Sequence, residues 1–86
     1  MKFKRVERVP WQEMGDTVMV LDTKNQMAHE MNEVGKRIWS LLAENRTEDE
    51  LFFKMVEEFD VEESQLRNDI NVFIGELELN HLVERV

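Results

Sequence analysis

The chain contains no cysteine. That single absence excludes disulfides, thiolate metal ligands and a cysteine nucleophile together. Proline occurs once, at Pro10, and the three glycines, Gly15, Gly35 and Gly75, are scattered. No linker, repeat or low-complexity segment is visible, and isolated glycines cannot form a phosphate-cradling loop. Histidine is limited to His29 and His81, and serine to Ser40 and Ser64. Neither residue type lies in a nucleophile–base context, and Ser40, beside Trp39 in a helical pattern, reads as a surface hydroxyl. No apolar run approaches the roughly 18 residues that suggest a membrane span. The basic start, Met1 to Arg5, is not followed by an apolar signal-peptide core. The expectation is a cytoplasmic protein that binds no membrane.

What is present is charge. In 86 residues, 35% are charged and 42% hydrophobic, and the net charge is −8. These values fit one globular domain with a modest core. The charge is uneven. The first ten residues hold Lys2, Lys4, Arg5 and Arg8 against Glu7, whereas residues 44–69 are dense in acids with only Arg46, Lys54 and Arg67 among them. An acidic domain repels phosphate, so no nucleic-acid partner is expected. The acidic run reads as a solvated helix face.

The first half of the chain has strand character. Residues 4–9 alternate weakly and end at Pro10. Gly15-Asp16 signals a turn, and Thr17-Val18-Met19-Val20-Leu21 is β-branched and apolar. Asp22-Thr23-Lys24-Asn25 signals a second turn. Residues 26–31 then alternate, with Met27, His29 and Met31 on one face and Ala28 and Glu30 on the other. Strands are therefore predicted over 4–9, 17–22 and 26–31, the last two as a hairpin.

The second half has helical spacing. Asn32 can cap a helix, and Gly35 in its first turn leaves room for close approach to the backbone. Val34, Ile38, Leu41 and Leu42 follow at helical intervals, with Trp39 beside them. Thr47-Glu48-Asp49-Glu50 is a capping box, followed by Leu51, Phe52, Met55, Val56 and Phe59. Asp60 can cap a third helix, whose first acids Glu62 and Glu63 suit the helix dipole. Asn80 is a plausible stop, and residues 81–86 read as a tail or short strand. Helices are predicted over 33–44, 48–59 and 62–79. The predicted core is Ile38, Leu51, Met55, Phe59, Leu66, Ile70, Phe73 and Leu77. Strands first and helices after give an α+β, winged-helix-like class.

The carboxylates show no pocket that would split a catalytic pair. Glu78-x-x-His81 has the spacing of a bundle metal-ligand pair, but one copy reads as a helix-end polar pair. Two features point to binding instead. The Met27–Met31 strand combines adaptable methionines with an edge that can accept another strand. Beside the core stripe of the third helix lies a face of Arg67, Asn71, Ile74 and Glu78, where apolar Ile74 either flanks a groove or widens the core. Phe53 is a further off-stripe aromatic.

The order of these features resembles the PqqD family (pyrroloquinoline quinone synthesis protein D) over roughly residues 15–84. The resemblance rests on Met31-Asn32 followed by Gly35 and Ile38; on Thr47 with Leu51, Met55 and Phe59; on Asp69-Ile70 with Phe73 and Leu77; and on Leu82-Val83. The chain departs from the family pattern with Met31 for Leu, Asn45 for Gly and Phe53 for a polar residue. The resemblance implies a single non-catalytic domain without a cofactor. It would capture the leader of a ribosomally made precursor peptide by strand addition and present it to a radical S-adenosylmethionine enzyme. The implied contacts are Met27, Ala28, His29, Glu30 and Met31 on the strand, and Arg67, Ile70, Asn71 and Ile74 on the helix. Two other classes stay open: an assembly subunit, with a homodimer as one form, and a nucleic-acid-binding winged helix, which the single basic residue of the third helix disfavours.

Overall fold

The computed structural model describes residues 1–86. Its elements in chain order are β1 (Phe3–Arg5), β2 (Trp11–Met14), β3 (Thr17–Asp22), β4 (Met27–Met31), α1 (Glu33–Leu41), α2 (Glu48–Met55), α3 (Glu63–Leu79) and β5 (Val83–Arg85). The architecture is α+β, with one three-stranded antiparallel sheet in the order β2-β3-β4 and a separate antiparallel pair, β1-β5.

The three-stranded sheet differs from the expected one in its first member. The predicted strand over 4–9 is only Phe3–Arg5, and it pairs with β5 at the far end of the chain. The strand missed, β2, begins just after Pro10 and pairs Trp11 with Val20 and Glu13 with Val18. Pro10 extends this ladder, because its carbonyl accepts the Leu21 N–H at 2.9 Å. An edge strand tolerates a proline there. Gly15 (φ +68°) makes the tight turn into β3, a backbone region that glycine enters without strain.

Between β3 and β4 the Asp22 carboxylate closes the turn by accepting from the Asn25 backbone and side chain, at 3.2 and 2.8 Å. The pairing then runs Val20 to His29 and Val18 to Met31. Alternation turns Val18, Val20 and Met31 inward, where all three are buried.

The helices start within a residue of the expected positions; α1 and α2 end sooner, whereas α3 runs to Leu79 as expected. Asn32 caps α1 by accepting from the Gly35 N–H at 2.9 Å. The capping box of α2 is complete: Thr47 Oγ1 accepts from the Glu50 N–H, and Glu50 accepts from the Thr47 N–H. α1 stops at Leu41, and two i→i+3 bonds, from Ala43 to Ser40 and from Glu44 to Leu41, tighten the chain. It then returns to β1, where Arg46 and Phe3 exchange backbone bonds. α2 stops at Met55, and residues 56–59 form turns rather than a further helical segment. Asp60 is not the cap of α3. That position is Glu62, which makes no side-chain cap bond.

The core joins β3, all three helices and β5. Ile38, Leu42, Leu51, Met55, Leu66, Ile70 and Leu82 are fully buried. Each such aliphatic side chain contributes about 1.5–3 kcal/mol of hydrophobic stabilisation. Phe59 and Phe73, expected in the core, are only half-buried against it. Ile74 is a core residue at 1% exposure.

Candidate functional site

One edge of β4 pairs with β3, and the other has no strand beside it. In an antiparallel ladder every second residue turns its N–H and C=O away from the partner, so this edge presents open backbone hydrogen-bonding groups. α3 stands opposite. Phe73, Glu76, Leu77 and Asn80, with β4, line a cleft of about 290 Å³. A second cleft of about 290 Å³ continues past Asn32 between the start of α1 and Asp69, Val72, Phe73 and Glu76. Phe73 and Glu76 belong to both, so the two clefts form one groove along β4 and α3.

Gly35 fixes the position of the Phe73 ring. A Cβ on Gly35 would stand 2.8 Å from Phe73 Cε2 and Cζ and 3.1 Å from the Met31 Cβ. Only a glycine lets the ring lie against the first turn of α1. The Asn32 cap holds that turn in place, so the strand-to-helix junction shapes the groove as well as ending β4.

The groove is polar at its rim and acidic. Glu30, Asp69 and Glu76 line it, and no lysine or arginine does. The Asp69 carboxylate accepts from the Gln65 amide at 2.9 Å. His29 is half-buried, and its Nε2 lies out of solvent with no hydrogen-bond partner. Below β4, hydrogen bonds from the Asn25 side chain and backbone hold the Asp22 carboxyl below its ordinary range.

The five strand residues expected at the site lie together on the open edge. Met27, Ala28 and Glu30 are exposed, His29 is half-buried, and Met31 turns its side chain into the core. The four helix residues do not join them. Arg67 and Asn71 face α2, where the Arg67 guanidinium meets Asp49 at 2.9 Å and lies 3.9 Å over the Phe52 ring. The Asn71 amide reaches Glu48 at 3.3 Å. Ile70 and Ile74 are each 1% exposed and belong to the core. The helix wall is instead Asp69, Phe73, Glu76 and Asn80. Those residues also recur at three- and four-residue intervals, on the opposite flank of the same core stripe, and that recurrence was the available signal.

A separate cleft of about 390 Å³ lies under β2 and α1, lined in part by Trp11, Trp39 and Phe59. Its bases are already engaged: Arg37 meets Glu58 at 2.8 Å, and Lys36 donates to the Gly15 carbonyl at 2.7 Å. The expected polar pair at the end of α3 is also divided. Glu78 pairs with Arg85, while His81 terminates the helix.

The family model for Coenzyme PQQ synthesis protein D (PqqD) matches residues 17–83, a span running from β3 through the groove to β5. This chain belongs to the PqqD family. The PqqD match includes both walls of the groove. Among solved structures, the chain is similar to TbiB1 in complex with the TbiA(beta) leader peptide, with a TM-score of 0.83, 26% identity, and 96% of each chain covered. No curated protein sequence matches.

Proposed function

We propose that this PqqD-family chain is a non-catalytic module that captures the leader segment of a ribosomally made precursor peptide. The leader adds as a fourth strand on the open edge of β4, lies against Phe73 of α3, and is presented to a modifying enzyme. The family resemblance points to a radical S-adenosylmethionine enzyme as that partner. The observation that carries this reading is an unpaired strand edge facing a helix wall with the half-buried Phe73 ring between acidic residues, in a fold whose solved relative TbiB1 holds a leader peptide. Backbone pairing supplies affinity for an extended peptide, and alternate side-chain contacts supply register.

The site carries no arrangement that asks for more than binding. His29 and Glu30 are adjacent in sequence, but they project to opposite faces of β4 and cannot act as a pair.

The test is titration of leader peptides, with the TbiA(beta) leader as the first probe, into ¹⁵N-labelled chain. Amide shifts should move together along residues 27–32 and 69–80. Arg67→Ala, on the other flank of α3, should bind the leader like the unaltered chain. Shifts confined to α2, or an Arg67→Ala variant that no longer binds, would overturn this placement.

A further inference from the structure

Three carboxylates line the groove against no lysine or arginine. The Glu30 and Glu76 carboxylates are exposed and take part in no ion pair or hydrogen bond; the Glu76 backbone carbonyl accepts from the Asn80 side-chain amide at 2.9 Å. The basic residue expected on the helix wall, Arg67, is turned away and held by Asp49 and Phe52. His29 is the remaining ionisable group in the lining. The apolar surface is concentrated on the helix side, at Phe73 and Val72.

An added strand would alternate its side chains between the two faces of the sheet. Those on the helix side meet Phe73, with Glu76 and Asp69 at the rim. Those on the other side lie next to Glu30, at the spacing where opposite charges attract and like charges repel. An acidic residue in either place stands beside an uncompensated carboxylate, in a chain whose net charge is −8.

We propose that the groove is specific for a basic leader: an apolar residue seated on Phe73, with a lysine or arginine beside Glu30 or Glu76. This rests on the peptide-binding reading above and adds the chemical class of the peptide. Charge sets the preference and apolar contact sets the register. The long-range field of the domain speeds the approach of such a peptide, an effect that salt screens.

The experiment is a selection of random decapeptides, displayed on their encoding RNA, against the immobilised chain and against its Glu30→Lys and Glu76→Lys variants. Both positions are exposed, so the variants should fold; matching circular dichroism spectra check this. Peptides held by the unaltered chain should be enriched in Lys or Arg next to an apolar residue, and their binding should weaken as salt is raised. Each charge reversal should shift the affinity ratio of matched Lys- and Glu-containing peptides by about two- to fivefold towards Glu, the strength of a solvent-exposed pair.

Retained peptides with neutral or acidic residues in that place, unchanged by either reversal, would overturn the charge preference and leave the peptide-binding reading standing. If no peptide is retained, or if retained peptides shift amides away from β4, both fall together.

Discussion

Gly35 and Phe73 touch across the junction of α1 and α3: the space that a Cβ on residue 35 would need is filled by the edge of the Phe73 ring, 2.8 Å away. A Gly35→Ala substitution therefore combines opposite effects. Alanine favours the helix by about 1 kcal/mol, while overpacking costs about 1–3 kcal/mol where neighbours cannot move. Phe73 is half-buried and its contacting atoms are at the tip of the side chain, so the ring can swing outward. The net change in stability should stay within about 1 kcal/mol. The swung ring enters the groove, and leader affinity should fall about tenfold. Paired urea denaturation and peptide titration would separate the effects; unchanged affinity would show that Phe73 is not a wall of the site.

The stripe of α3 sets up a second contrast. Ile70 and Ile74 are each 1% exposed, whereas Phe73, the larger side chain, is half-buried. Ile70→Ala should cost about 2–5 kcal/mol through lost burial and a cavity. Phe73→Ala should cost less and should mainly weaken peptide binding. Ile74→Asp places an unpaired charge in the core, and in a domain with about 5 kcal/mol of stability it should not fold. Thermal melts of the three variants check the order. An Ile74→Asp protein with a cooperative melt near that of the unaltered chain would contradict the burial of this position.

The elements that sequence reading placed well are those whose signals are local. Asn32 and the Thr47–Glu50 box mark helix starts because a cap is a contact within a few residues, and both caps are formed. β3 is marked by its buried alternation. β2 carries no such mark: Trp11, Gln12, Glu13 and Met14 are all exposed, and Pro10 reads as an ending when it is the entry to an edge strand. On α3 the apolar stripe identifies the core, but periodicity is symmetric about it. The Arg67–Asn71 flank and the Asp69–Phe73–Glu76 flank have the same spacing, and only the tertiary position of α2 decides which one is covered. The strand edge of the candidate groove was thus legible, because an edge strand next to a capped helix is a sequence pattern; which flank of α3 faces that edge was not.

Acid should weaken this fold through two named carboxylates. The Thr47 N–H, donating to Glu50, holds the Glu50 carboxyl below its ordinary range, and the Asn25 side chain does the same for Asp22. A depressed folded-state pKa means that the unfolded chain binds the proton more readily, so the stability from these groups is present above the usual carboxylate range, about pH 4. It is lost as pH falls through that range and below it. Urea midpoints measured from pH 7 down to pH 3 should decline, and Glu50→Gln with Asp22→Asn should flatten the decline. A slope unchanged by the pair of substitutions would place the acid sensitivity elsewhere.

The C-terminus of α3 offers a stabilising change. His81 follows the C-cap Asn80 with φ of +58°. Its N–H donates to the Glu78 carbonyl at 3.1 Å, and the Leu82 N–H donates to the Leu77 carbonyl at 2.9 Å. That pair of bonds is a Schellman motif, whose left-handed position glycine usually occupies. A side chain there costs about 1–2 kcal/mol against the following carbonyl, while glycine gives back about 0.5–1 kcal/mol in chain entropy. His81→Gly should therefore stabilise the domain by about 0.5–1 kcal/mol and raise its Tm by a few degrees, whereas His81→Ala keeps the strain and should not. Leader affinity should be the same in all three proteins, because His81 does not line the groove. If the glycine variant melts no higher than the alanine variant, the strain assigned to this turn is relieved in solution.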